Sequence, residues 1–162
     1  MKSTTLLLIT GAIVILVVKS ASGSTGGSFD LSALDDYGSD RIGPLKDLAN
    51  ELKSRGFSDL QIKLMLSQAM HETGILTDNN YNRNAVEVKH NFAGISPGGT
   101  IATYYSVSDF VDAWESILSR GTRPPLDAVS PSDYAQRLKA NGYYTDSLDN
   151  YSSALNYYFN LF

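Results

Sequence analysis

The heptapeptide Q-A-M-H-E-T-G, Gln68 to Gly74, closes an apolar stretch with an imidazole, a carboxylate and, two residues later, a glycine. At helical spacing Glu72 lies one turn after Gln68 and two turns after Met65, so its carboxylate shares the apolar stripe. A carboxyl group placed there is poorly hydrated, and desolvation favours the protonated form. The C-terminal end of a helix adds partial negative charge that opposes ionisation further. A Glu that keeps its proton near neutral pH can deliver it to a leaving oxygen, the task of a general acid. Gln68, one turn earlier, is expected to hold the carboxyl group by a hydrogen bond, and Gly74 lets the chain turn away so that a cleft opens over Glu72. The competing assignment is a helix-terminal Glu that simply faces solvent, as most do.

His71 is offset from Glu72 by about 100° around the helix, which disfavours a Glu-His dyad and assigns the imidazole to capping or packing. His71 and His90 are the only histidines, they form no His-x-x-x-His pair, and there is no cysteine. No metal site or cofactor is therefore expected. Outside the two lysines that flank the N-terminal apolar segment, 11 positive residues face 17 negative ones, a net of −6. Such an acidic body excludes a bulk electrostatic grip on nucleic acid. Binding to an anionic polymer would need a shaped groove with local contacts.

The elements that must position Glu72 are mostly helical. Leu45, Leu48, Ala49 and Leu52 follow Pro44 at helical spacing and stop at Gly56. A second helix, capped by Ser58 and running to Thr73, is apolar on nearly every side and is expected to cross the centre of the domain. Thr77 to Asn91 is polar and reads as an irregular loop. Ile95 to Tyr104 has the pattern of a short hairpin turning at Pro97-Gly98-Gly99. Helices follow from about Ser108 to Gly121, from Ser130 to Asn141-Gly142, and from about Ser147 to Asn160. The expected class is α+β, mostly α, with one small hairpin.

Ahead of this domain, Thr4 to Val18 is an apolar run between Lys2 and Lys19. Its 16 inter-lysine residues would span roughly 24 Å as a helix, short of the ~30 Å hydrocarbon core unless the lysines snorkel. The segment, residues 1–19, is either a single-pass membrane anchor or a signal peptide cleaved near Ser20 to Ser22. Residues 20–42 open with S-A-S-G-S-T-G-G-S, a linker composition. The catalytic domain is expected over residues 43–162, a length of about 120 that suits one core.

Four motifs in order carry a family resemblance: Q-A-M-H-E-T-G, then K-H-N-F-A-G-I at Lys89 to Ile95, then Tyr104-Tyr105-Ser106-Val107, then G-Y-Y-T-D at Gly142 to Asp146. Over Leu45 to Phe162 the chain resembles the glucosaminidase domains of peptidoglycan hydrolases, glycoside hydrolase family 73. That resemblance implies a lysozyme-like helical domain with a small β-lobe, cleaving the β-1,4 bond after N-acetylglucosamine in peptidoglycan. Glu72 would be the general acid and Tyr143 would line the site beside the scissile sugar. Thr145 and Asp146 would hold the Tyr143 loop, while Asn91, Phe92, Gly94 and Ile95 shape the opposite wall and Gln68 and Tyr104 complete the substrate site. Tyr143 and Tyr144 also read as core residues, and Asn91 as a turn residue.

The chain departs from the family pattern at His90 and Ala93, which replace an Asn and a Phe. More consequentially, Gly94 to Tyr105 contains no Asp or Glu, whereas relatives commonly offer a second carboxylate there. Two-carboxylate hydrolysis needs such a partner, and the nearest candidates are Asp78, Glu87 and Asp146. With one acid alone, the substrate's own 2-acetamido group or an internal hydroxyl would stabilise the oxocarbenium-like centre, as in a lytic transglycosylase. A glycan-binding or structural envelope protein without turnover is the rival from another class. The expected setting is a bacterial envelope or a phage virion, membrane-tethered through residues 4–18 or secreted if that segment is cleaved.

Overall fold

The computed structural model describes residues 31–77 and 80–162. The anchor or signal segment, residues 20–30 of the expected linker and Asp78 lie outside the described residues. Among those described, no helix is long and apolar enough to cross a membrane.

Five α-helices make the body: α1 (Ser39–Ser54), α2 (Asp59–Thr73), α3 (Val107–Leu118), α4 (Pro131–Ala140) and α5 (Leu148–Phe159). Helix α2 runs through the middle, packed against α1 and α5, while α3 lies on α1 and α4 on α5. Its central position follows from its composition. Ile62, Leu64, Met65, Leu66, Ala69 and Met70 are all at most 1% exposed although they point in every direction around the axis, and only a helix enclosed on all sides can bury such a set. Each large side chain among them contributes about 1.5–3 kcal/mol by leaving water.

Local chemistry sets the ends of α2. Ser58 accepts from the Gln61 amide while the Gln61 side chain accepts from the Ser58 amide, a reciprocal capping box. At the other end Gly74 adopts φ 60°, and its N–H returns to the Met70 carbonyl. A Cβ at Gly74 would sit 2.5 Å from the Asn80 carbonyl oxygen, so the stop needs glycine both for its backbone conformation and for the close approach of the next loop. Serines cap the later helices in the same way: Ser106, Ser130 and Ser147 accept from the amides of Asp109, Asp133 and Asn150.

Three boundaries differ from the sequence expectation. Helix α1 begins at Ser39 and carries Pro44 inside it, because Ile42, 2% exposed, joins the apolar face upstream of the proline. A 3-10 turn at Ser32–Tyr37 precedes it and buries Leu34 completely. The packed body therefore extends upstream of Gly43 into the stretch expected to be linker. The polar loop before Asn91 contains a π-helical turn, Asn84–Val88, pinned by buried Ala85 and Val86.

The third difference concerns the expected hairpin. The chain does double back between Ile95 and Tyr104, and the Ala102 N–H donates to the Ile95 carbonyl. No strand forms among the described residues. The buried Asn91 side chain occupies the space between the two arms: its Nδ2 donates to the carbonyls of Ile95 (2.8 Å) and Ala102 (3.1 Å), and its Oδ1 accepts from the Ile95 N–H (3.0 Å). A side-chain amide thus replaces the ladder, and Pro97–Gly99 makes a 3-10 turn at the tip.

Candidate active site

Glu72 sits in the last turn of α2, where the enclosing helices give way to an open cleft of ≈ 340 Å³. Gly94, Tyr143, Tyr144, Asp146 and Tyr151 also line it. The carboxyl group is half-buried and its two oxygens have different surroundings. Oε1 accepts a hydrogen bond from the Tyr151 hydroxyl at 2.7 Å. Oε2 lies 3.3 Å from where a Cβ on Gly94 would stand, so the wall opposite Glu72 is bare backbone. Gly94 itself is at φ 64°, a left-handed conformation that suits glycine.

Burial pushes the Glu72 carboxyl above the usual carboxylate range, and the Tyr151 hydrogen bond and the neighbouring His71 oppose that rise. The net direction is the one required of a group that must hold a proton before giving it up. His71 packs by its ring, edge-to-face on Tyr151 with centroids 4.9 Å apart. It does not complete a dyad; it buttresses the tyrosine that holds Glu72.

Tyr151 is the residue that sequence reading missed as a site member. It lies on α5, 79 positions from Glu72, in a helix whose Tyr151, Leu155 and Tyr158 read as an ordinary core face. The available signal was chemical: a tyrosine buried to 2% exposure must find a partner for its hydroxyl. Tyr144 stacks flat on Tyr151, with centroids 3.7 Å apart and planes within 8°. Lys139 Nζ lies 5.0 Å over the Tyr144 ring. Tyr144 is thus a support for Tyr151, with Lys139 set against its ring.

Gln68 does not hold Glu72. Its Oε1 accepts from the buried Tyr134 hydroxyl of α4 at 2.7 Å, one turn deeper in the core than Glu72. Its Nε2, and the indole N–H of Trp114 on α3, are buried without a hydrogen-bond partner. Tyr143 lines the cleft with its ring and donates its hydroxyl to the Ala93 carbonyl. Burial, and then the charge of Glu72, push that phenol well above the ordinary tyrosine range, while Trp114 and Gln68 act on it in the opposite sense.

The remaining expected site residues divide by burial. Asn91 and Phe92 are at most 1% exposed, so they build the wall from behind and do not face the cleft; Phe92 packs on Phe110 with centroids 5.4 Å apart. Ile95 and Tyr104 are half-buried, with Tyr104 edge-on to Phe110. Thr145 and Asp146 border the cleft, and Lys139 Nζ secures their loop through both carbonyls. The Asp146 carboxylate accepts from the Ser147 N–H at 2.6 Å, at the start of α5. Glu87 pairs with Arg83 at 3.3 Å and accepts from Tyr81, engagements that draw it into a surface network.

The arrangement supplies one proton donor with a clamped oxygen, a dehydrating wall of backbone, and room beside Oε2 for a ligand. No family model matches the chain, and neither a curated protein nor a solved structure matches it.

Proposed function

We propose that the protein is a peptidoglycan glycosidase of lysozyme-like type in which Glu72 protonates the leaving glycosidic oxygen. One observation carries this reading. Glu72 is the carboxyl group at which α2 emerges from the core into the cleft, held by Tyr151 through Oε1 and leaving Oε2 open beside Gly94. Desolvation favours its protonated form, so the group is prepared for general acid catalysis in advance of substrate. The order of the four motifs supports an endo-β-N-acetylglucosaminidase, acting on the glycan strand as substrate with no cofactor. The apolar segment at residues 4–18 would place the domain at a bacterial or virion membrane facing the wall, or export it if cleaved.

A second mechanism is favoured by a specific feature of the cleft. The other carboxylate among its described lining residues, Asp146, is drawn toward the start of α5, and the wall opposite Glu72 presents Ala93 and Gly94. Hydrolysis by two carboxylates requires a base or nucleophile at a defined separation. A single acid suits intramolecular attack within the substrate, the lytic transglycosylase outcome with an anhydro product.

Clearing of purified cell walls by wild type beside Glu72→Gln tests the assignment. Wild type should clear the suspension and the variant should lose at least about a hundredfold in rate. Equal clearing by both, or clearing by neither, defeats the catalytic reading and leaves the glycan-binding one. Mass analysis of released fragments separates the chemistries: reducing N-acetylglucosamine ends mark the glucosaminidase, reducing muramic ends a muramidase, and anhydromuramic ends the transglycosylase.

A further inference from the structure

Two buried donors, Gln68 Nε2 and Trp114 Nε1, have no hydrogen-bond partner. They belong to different helices, α2 and α3, and both act on the hydroxyl of Tyr143, which follows α4 in the chain. That hydroxyl has a single proton, and it is donated to the Ala93 carbonyl. A phenol can donate once and accept twice. Its one proton therefore commits it to the Ala93 carbonyl. Gln68 is itself oriented by Tyr134, whose hydroxyl takes Oε1 and so turns Nε2 away from it.

We infer that Tyr143 is a positioning residue: its hydroxyl latches the Ala93–Gly94 wall to the helical core and thereby keeps that wall against Glu72 Oε2. The latch closes a path of short links. Ala93 is adjacent to Gly94, whose α-carbon stands where a Cβ would be 3.3 Å from Oε2. Ile95 follows and is held from the other side by Asn91. Without the Tyr143 bond, the turn from Asn91 to Ile95 keeps its own hydrogen bonds and the packing of Phe92 on Phe110, but the Ala93–Gly94 stretch loses its polar tie to the core and water gains access to the carboxyl group. Tyr143 then acts on the reaction through the hydration of Glu72.

The consequence for rate rests on the glycosidase reading, but two readouts do not need turnover: native-state hydrogen exchange of the Ile95 amide, and a carbon-13 NMR titration of the Glu72 carboxyl. In Tyr143→Phe, Ile95 should exchange about five- to tenfold faster, the equivalent of one ordinary hydrogen bond. The Glu72 titration should move to lower pH as the group is rehydrated. A merely structural role would lower the melting temperature and leave the Glu72 titration in place. Trp114→Phe, which removes one of the groups that act on the Tyr143 phenol, should shift both readouts in the same directions by less and serves if the first variant does not fold. Unchanged Ile95 exchange, or a Glu72 titration that stays put or moves up, overturns the latch. If wild type fails to cut cell walls while both readouts move, the glycosidase reading fails and the latch stands.

Discussion

Replacing Tyr151 with Phe is the most informative single perturbation, because it removes one oxygen atom and alters the two protonation states of Glu72 unequally. The hydroxyl donates to Oε1 at 2.7 Å in a half-buried setting. Such a bond is worth about 1.5–3 kcal/mol to an ionised acceptor and about 0.5–1.5 kcal/mol to a neutral one. The variant therefore loses about 1 kcal/mol more from the carboxylate than from the acid, which raises the ratio of protonated to ionised Glu72 at a given pH by about fivefold. Tyr151 is one of the influences that lower this group while burial raises it, so its removal sends the titration further up. A general acid loses activity as pH rises through its pKa, and the alkaline limb of the wall-clearing profile should move to higher pH. On the plateau the rate should fall by about ten- to a hundredfold, since the carboxyl group is no longer held in one orientation. The ratio of wild-type to variant rate should consequently shrink as pH increases. Rate measurements on purified walls across pH, alongside the Glu72 carbon-13 titration, provide the assay. A limb that moves to lower pH, or a full plateau rate in the variant, would refute the assignment of Tyr151 as the clamp.

Other expectations follow from the same geometry. Burial holds Glu72 above its unfolded value, so between the two values the native protein binds more protons than the unfolded chain and stability declines as pH rises; Glu72→Gln should be more stable by about 0.5–2 kcal/mol above that window, and urea unfolding at several pH values reads the difference. Gly94→Ala places a methyl group 3.3 Å from Oε2 at φ 64°, so it should cost about 1–2 kcal/mol in stability and abolish wall clearing; a variant that clears walls at the wild-type rate would show that Oε2 is not the working oxygen. Asn91→Ala removes three buried hydrogen bonds and should cost about 2–4 kcal/mol by thermal unfolding, far more than an exposed turn asparagine would.

Much of the scaffold was legible because it is encoded locally. The serines at 58, 130 and 147 announce helix starts within one residue of where they occur, and the helix read from about Ser108 begins at Val107. The all-round apolar surface of α2 has only one solution, enclosure by other helices. Where reading along the chain failed, a side chain overrode a local pattern. Asn91 inserts into the turn that Pro97-Gly98-Gly99 suggested as a hairpin, and Ile42 draws the start of α1 ahead of Pro44.

The site shows the same division with more at stake. Sequence by itself determined the candidate acid, its place on the apolar stripe at the end of a helix, and the glycine that turns the chain away, since helical periodicity and capping act over a few residues. Tertiary structure alone decided which groups surround it. Gln68, one turn from Glu72, turned out to serve Tyr134, whereas Tyr151, on the last helix, holds the carboxyl group. The physical reason is that hydrogen-bond partners are chosen by distances of about 3 Å in space, and the packing of α5 on α2 brings to that distance residues whose separation along the chain carries no periodic signal.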